Sequence, residues 1–287
     1  MAATPCSFHH TEFPLERLLD GRAGTVSVCV PARECAGTIA RVVRELVRLR
    51  EAGAIDQVAV VDAASQDGTA ALAERAGAEV YQESELLPQF GPVLGKGDAM
   101  WRGLSVLSGD YVCFLDGDTE RFGRHFALGL AGAVACEPGV EFVKGFFRRP
   151  FRAGDVVLPH DGGRVTELMA RPLLRAFWPE LEAIRQPLAG EIAARRDQFE
   201  RLPFMTGYGI ETAMLVDAYR DVGIEGLAQV DLEERQNTHQ SLSALAPMAD
   251  AVLAAALSRL AREGRPVGGH QPKVVERPAM ASVRARS

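Results

Sequence analysis

Apolar and polar positions along this chain fall into blocks, and the blocks change period. "TVSVCVP" (residues 25–31) is a short apolar run bounded by turn residues, and from Thr38 to Arg50 apolar residues recur at three- and four-residue spacing. The first block predicts a buried strand and the second an amphipathic helix. The pair then repeats: "QVAVVDA" (57–63) and a helix from Thr69 to Ala76, "AEVYQ" (78–82) and a helix from Gly97 to Leu107, then the apolar run Tyr111 to Leu115. Such alternation predicts an α/β fold, one domain with a mainly parallel central sheet and helices on its faces. The second half is less regular, with strands expected at Val140 to Phe147 and "GLAQVDL" (226–232), and helices at Val165 to Phe177, Tyr208 to Val222 and Leu242 to Arg262. Residues 1–24 and 264–287 are rich in polar residues, Pro, Arg and Gly and are expected to be partly ordered tails. That leaves 25–263 as the domain.

Composition narrows the class. The chain has 287 residues, 47% of them apolar, and a net charge of -6, so it can bury a sizeable core and is not expected to bind nucleic acid. Its five cysteines (Cys6, Cys29, Cys35, Cys113, Cys136) are odd in number, and none has C-x-x-C or zinc spacing, which points to a reducing cytoplasm. No stretch reads as a membrane span, and the first residues lack the pattern of an export signal.

The candidate chemistry starts at "YVCFLDGDTE" (111–120), an apolar strand running into Asp116 and Asp118. In open α/β sheets ligands sit beyond the carboxyl ends of strands. Two neighbouring carboxylates repel unless something positive lies between them, and a divalent cation on phosphate oxygens is a common partner. A D-x-D triplet alone is frequent enough to be two solvated acids in a turn. The first strand-to-helix turn, "CVPARECAGT", has no G-x-G-x-x-G, which argues against a nicotinamide enzyme. "GPVLGKG" (91–97) falls one residue short of a phosphate loop and has Gly97 where a hydroxyl must hold magnesium. Lys96 at a helix start still offers an ammonium and backbone N–H groups to an anion. In "GGRVTEL" (162–168) a Gly-Gly turn leads into Arg164 and Thr166, which offers backbone donors, a fork-shaped cation and a hydroxyl to a phosphate. Arg148 and Arg149 read as a solvated basic turn.

In order, the "VPAREC" turn, the acid of "VVDAASQDGT", "GKGDAMWRGL" and "LDGD" resemble the GT-A glycosyltransferases, a Rossmann-like fold that uses nucleotide-sugar donors. "FVKGFFRRP", "GGRVTELMARPLL", "QPLAGE", "PFMTGYGIE" and "LAQVDLEERQNTHQSL" narrow the resemblance to the glucosyl-3-phosphoglycerate synthase family, over roughly Ser27 to Leu245. The resemblance implies a metal-dependent retaining transferase that moves glucose from an NDP-glucose, UDP-glucose favoured, to the 2-hydroxyl of 3-phosphoglycerate. It also implies Mg2+ or Mn2+ as cofactor, a homodimer, a nucleotide-sugar half at 25–120 and an acceptor half at 121–263.

Residue by residue, the resemblance implies catalytic roles for Asp116, Asp118, Lys96 and Glu211. Donor contacts would come from Pro31, Ala32, Arg33, Cys35, Ala63, Lys96, Asp116, Gly117, Asp118 and Tyr208, and acceptor contacts from Gly163, Arg164, Thr166 and Asn237. Metal ligation would fall to Asp118 and His239. The chain departs from the family pattern in three places. Cys35 stands where a Glu reads the nucleoside, Ala63 where a small hydroxyl residue is usual, and Asn237 and His239 have exchanged the usual His and Asn. The first two leave the donor base open between UDP, GDP or another. The alternatives are a related transferase with another sugar, such as mannose, or another small acidic acceptor, and a non-catalytic sugar-nucleotide-binding protein.

Overall fold

The computed structural model describes residues 3–149, 151–153, 156–158, 163–235, 241–268 and 274–285. Strand β1 (Cys6–His9) leads into helix α1 (Leu15–Gly21), and then come β2 (Val26–Ala32), α2 (Ile39–Glu51), β3 (Gln57–Asp62), α3 (Thr69–Arg75) and β4 (Glu79–Gln82). Next are α4 (Lys96–Leu104), β5 (Tyr111–Phe114), α5 (His125–Cys136) and β6 (Phe142–Arg148). A small ribbon, β7 (Phe151–Ala153) with β8 (Val156–Leu158), precedes a π-helical turn at Thr166–Ala170 that runs into α6 (Arg171–Phe177). The chain closes with β9 (Ile192–Arg195), α7 (Arg196–Arg201), β10 (Phe204–Met205), α8 (Ile210–Val222), β11 (Leu227–Glu234), α9 (Leu242–Arg262), β12 (Glu276–Arg277) and α10 (Met280–Arg284).

Eight strands form one sheet in the order β1-β11-β6-β9-β5-β2-β3-β4. All neighbours are parallel except β9, which runs antiparallel to both β5 and β6. The mainly parallel α/β sheet expected from the sequence is therefore present, with one reversed strand near its middle. Alternation along each strand splits the core between the two faces: Val26, Val28 and Val30 pack with α2 and α5, while Cys29 packs with α4 and α8. Helix α2 buries Ile39, Val42, Val43, Leu46 and Leu49, the stripe its spacing predicts.

Both ends depart from the expected tails. Cys6–His9 is an edge strand paired in register with β11, Cys6 opposite Ala228. Near the other end, Glu276–Arg277 pairs with β10, and Trp101 Nε1 donates to the Pro278 carbonyl at 2.8 Å. The five cysteines are unpaired. One helix among the described residues, Leu242–Arg262, is long and apolar enough to cross a membrane, which the sequence reading passed over. Here it packs on α8, and its Arg259 is buried against Asp217 and Glu276.

Candidate active site

The carboxyl ends of the adjacent parallel strands β2, β3 and β5 lie on one edge of the sheet, where the rule for open sheets places a ligand. β2 hands over to Ala32, Arg33 and Glu34, the last at φ +50°, and β3 to Asp62 and Ala63. The two loops are knitted together. The Glu34 amide donates to Ser65 Oγ (2.9 Å), the Cys35 amide to Thr69 Oγ1 (2.8 Å) and the Ala36 amide to Asp67 Oδ2 (2.9 Å). Thr38 Oγ1 donates to the Gly117 carbonyl at 2.6 Å and so ties the first loop to the end of β5. Pro31 and Ala63 are half-buried, Ala32 is buried and Arg33 is exposed. The Cys35 side chain is buried near Gly117, and burial above all pushes its thiol up to about 11, so it carries no charge at neutral pH. Asp62 is buried as well, and its Oδ1 has no hydrogen-bond partner among the described residues.

Charge concentrates just beyond β5. Lys96 Nζ lies 2.6 Å from Asp116 Oδ1 and 2.8 Å from Glu211 Oε1. Arg235 reaches Asp116 Oδ2 at 2.8 Å, Asp118 Oδ1 at 2.6 Å and Glu191 Oε1 at 3.0 Å. The sequence supplies each member from a different element: Lys96 starts α4 after Gly95 at φ +84°, Glu211 is in the first turn of α8, and Arg235 follows β11. Glu191 arrives through the reversed strand. Because β9 runs antiparallel, its entrance rather than its exit lies beside Asp116.

Two glycines let these pieces meet. A Cβ on Gly190 would stand 2.5 Å from Lys96 Nζ and 2.6 Å from Asp116 Oδ2, and one on Gly97 would run into the Met205 carbonyl oxygen.

The electrostatics follow from burial and pairing. Burial works against the ions, but Lys96 and Arg235 together outweigh it and hold Asp116 below the usual carboxylate range. Burial likewise opposes the cations, yet the surrounding carboxylates hold Lys96 and Arg235 above their ordinary values. Burial raises Glu191, with Arg235 pulling the other way. Lys144 is buried behind the cluster and donates to the Ala189 carbonyl at 2.5 Å; burial lowers it to about 8. Asp118 is the outward member, with 56% of its side chain exposed against 17% for Asp116.

The proposed acceptor motif lies beside this cluster. Gly163 has φ +78°, a conformation L side chains rarely adopt. It opens the turn carrying Arg164 and the buried Thr166, and the Glu167 amide donates back to the Gly163 carbonyl at 3.1 Å. Arg149 corrects the solvated-turn reading. It is half-buried, stacks over Phe147 at 5.0 Å, approaches Gly163, and has a buried Nε with no partner among the described residues. Burial and nearby Arg235 both push its pKa down, an environment that an added anion would relieve. Arg148, by contrast, is exposed. Tyr208 projects, 56% exposed, from the turn Gly207–Gly209, whose first residue touches Gly95. Asn237 and His239 lie outside the described residues.

Sequence reasoning singled out most of these positions and missed the role of Arg235 as the hub of the cluster. A cation following the last strand of an open sheet was the available signal.

The cluster suits a divalent ion. Asp118 presents an exposed hard oxygen in a group of four carboxylates, Asp116, Asp118, Glu191 and Glu211, against Lys96 and Arg235. Asp118 would hold the ion, with remaining ligands from a diphosphate.

Comparison with known proteins agrees with this geometry. The family model for glycosyl transferase family 2 matches residues 27–127. Glucosyl-3-phosphoglycerate synthase of Petrotoga mobilis is 38% identical over 90% of this chain and 82% of its own, and that of Mycolicibacterium smegmatis is 37% identical over 99% and 98%. Among solved structures, mannosyl-3-phosphoglycerate synthase from Rubrobacter xylanophilus is 42% identical with a TM-score of 0.88, covering 97% of both chains. Glucosyl-3-phosphoglycerate synthase from Mycobacterium tuberculosis, solved with Mn2+, UDP and glucosyl-3-phosphoglycerate, is 35% identical with a TM-score of 0.85, covering 98% of this chain and all of that one. This chain belongs to the glucosyl-3-phosphoglycerate synthase family of glycosyltransferases.

Proposed function

We propose that this protein transfers glucose from an NDP-glucose, UDP-glucose favoured, to the 2-hydroxyl of 3-phosphoglycerate with retention at the anomeric carbon. The observation that supports the reading is the Lys96–Asp116–Arg235–Asp118 cluster just beyond β5, with Arg149 near both Arg235 and Gly163. Asp118 would hold a Mg2+ or Mn2+ ion, which when bound would supply positive charge for the departing diphosphate. The protein's own groups do the positioning. Pro31, Ala32, Arg33, Cys35 and Ala63 border the nucleoside, Asp116 and Gly117 contact ribose and sugar, and Lys96 lies against the sugar or diphosphate. Tyr208 and Glu211 flank the transferred sugar. Gly163, Arg164 and Thr166 hold the acceptor phosphate, with Arg149 as a further cation.

Among the described residues the two carboxylates that could serve as a covalent nucleophile are engaged, Glu191 by Arg235 and Glu211 by Lys96. The acceptor oxygen therefore attacks on the face the diphosphate leaves: the C1–O bond to phosphate breaks, the new C1–O bond forms on that side, and the hydroxyl proton passes to the departing phosphate oxygen. The homodimer and a cytoplasmic location complete the proposal.

A second reading, mannosyl transfer, is favoured by two observations. The mannosyl-3-phosphoglycerate synthase structure has the higher identity of the two solved structures compared, and a neutral Cys35 replaces the expected carboxylate at the nucleoside. Turnover with UDP- and GDP-linked glucose and mannose on 3-phosphoglycerate, with the product's anomer read by NMR, separates the two readings. Asp118→Ala should cut turnover about a hundredfold or more, as loss of a principal electrostatic stabiliser does. Absence of turnover with every pair would refute both readings in favour of a binding protein.

A further inference from the structure

At the outer edge of the sheet, away from the sugar-nucleotide crevice, three histidines and a glutamate converge without a role in the reaction above. β1 ends at His9, opposite Asp231 of β11. Two residues beyond Asp231, Glu233 turns through φ +68° with its amide donating to Asp231 Oδ1 at 2.8 Å, and its Oε1 meets His10 Nε2 at 3.0 Å. The His10 ring lies tilted against His9 (centroids 4.6 Å apart) and against His125 (4.7 Å). One ring nitrogen from each of His9 and His10 and one oxygen of Glu233 lie within 4.8 Å of one another. The left-handed backbone of Glu233 falls where β11 and β6 lose register between Asp231 and Glu234, a bulge that aims its carboxylate at His10.

We propose that His9, His10 and Glu233 form a binding site for a borderline divalent transition-metal ion of the zinc class, separate from the cation that Asp118 would take. Two imidazoles and one carboxylate are the donor set of a three-ligand zinc site whose fourth position is filled by water. Mg2+ prefers oxygen ligands throughout and is a poor match. The His9 ring is fixed in place at Nδ1, which lies 2.8 Å from Thr11 Oγ1 and accepts from the Thr11 amide at 3.3 Å, leaving Nε2 as the nitrogen open to an ion once its proton is lost. The ion would rivet the end of β1 to the end of β11. Its effect reaches the catalytic cluster through the backbone, because Glu233 is two residues from Arg235, the hub that holds Asp116, Asp118 and Glu191.

The test uses full-length protein in excess MgCl2, titrated with ZnCl2 by calorimetry, in an Asp118→Ala background that removes the proposed catalytic ligand. One equivalent of Zn2+ should bind with a dissociation constant of about 1 μM, weaker than a four-ligand structural site. Adding His10→Ala or Glu233→Gln should weaken binding at least about tenfold, as loss of one of three ligands requires. In otherwise unsubstituted protein, Zn2+ at a hundredfold excess over its dissociation constant should raise Tm by ~5 °C, and Glu233→Gln should remove at least about half of that rise. The Glu233 side chain is 51% exposed, so that variant decides if His10→Ala fails to fold. Failure of the Asp118→Ala protein to take up Zn2+, or equal uptake after Glu233→Gln is added, overturns the proposal.

Discussion

Gly190→Ala should separate catalysis from folding. The added methyl would sit 2.5 Å from Lys96 Nζ and 2.6 Å from Asp116 Oδ2, where ordinary contact begins at 3.4 Å, so the two groups must retreat by about 0.9 Å. Both atoms are ends of side chains that can swing, and the backbone need not move. Overpacking of this kind costs roughly 1 kcal/mol, the low end of its usual range, or a fall in Tm of about 2–4 °C for a domain near this size. The reaction is far less tolerant. The displaced pair is the one proposed to hold the donor, and misplacement by about 1 Å can cost roughly a hundredfold in rate, or ~2.7 kcal/mol of barrier. Initial rates at saturating donor and acceptor, paired with a thermal melt, measure both quantities. Turnover within about twofold of the parent would refute the placement of the Lys96–Asp116 pair at the reacting centre.

Three further outcomes follow from the geometry. Arg164→Lys keeps the charge and loses the planar fork, so the acceptor KM should rise about tenfold while calorimetric donor affinity is unchanged; the opposite pattern refutes the acceptor assignment. Arg277→Ala removes a guanidinium bonded to buried Asp98 at 2.8 and 2.6 Å and should cost about 3 kcal/mol, because Asp98 keeps Arg102 as a partner; a Tm within 2 °C of the parent (roughly the shift of under 1 kcal/mol) counts against it. Lys144 titrates at about 8 when folded and near 10.4 when unfolded, so the unfolded chain binds the extra proton between those values and stability should rise with pH across that window. Denaturant unfolding of Lys144→Met from pH 7 to 10 should lose that component of the slope, and an identical slope in both proteins refutes the burial argument.

The strands and helices that sequence periodicity picked out, such as Val26–Ala32 and Ile39–Glu51, are those whose burial follows a local pattern. β9 escaped because four residues, Ile192–Arg195, are too few to show a period, and its direction depends on both neighbours. The N-terminal strand escaped for a related reason: "CSFH" is short and at least half of it faces outward, so its pairing with β11, more than 200 positions away, has no local trace. The site divides the same way. Asp116, Asp118, Lys96 and Arg164 stand in motifs that can be read in place. Arg235 becomes meaningful only beside acids such as Asp118, 117 positions earlier, and Arg277 only beside Asp98, 179 positions earlier.

The reversed strand has a mechanical consequence. β9 is hydrogen-bonded to β5 on one side and to β6 on the other, and so stitches residues 25–120 and 121–263 into one continuous sheet. Two lobes joined by a flexible linker could open and close around their substrates. Two halves joined through one continuous sheet cannot hinge without breaking ladder bonds through the core. Admission of donor and acceptor must therefore fall to the segments that rim the sheet's carboxyl edge. Amide hydrogen exchange should find β9 among the slowest-exchanging parts of the chain, protected up to the full free energy of unfolding.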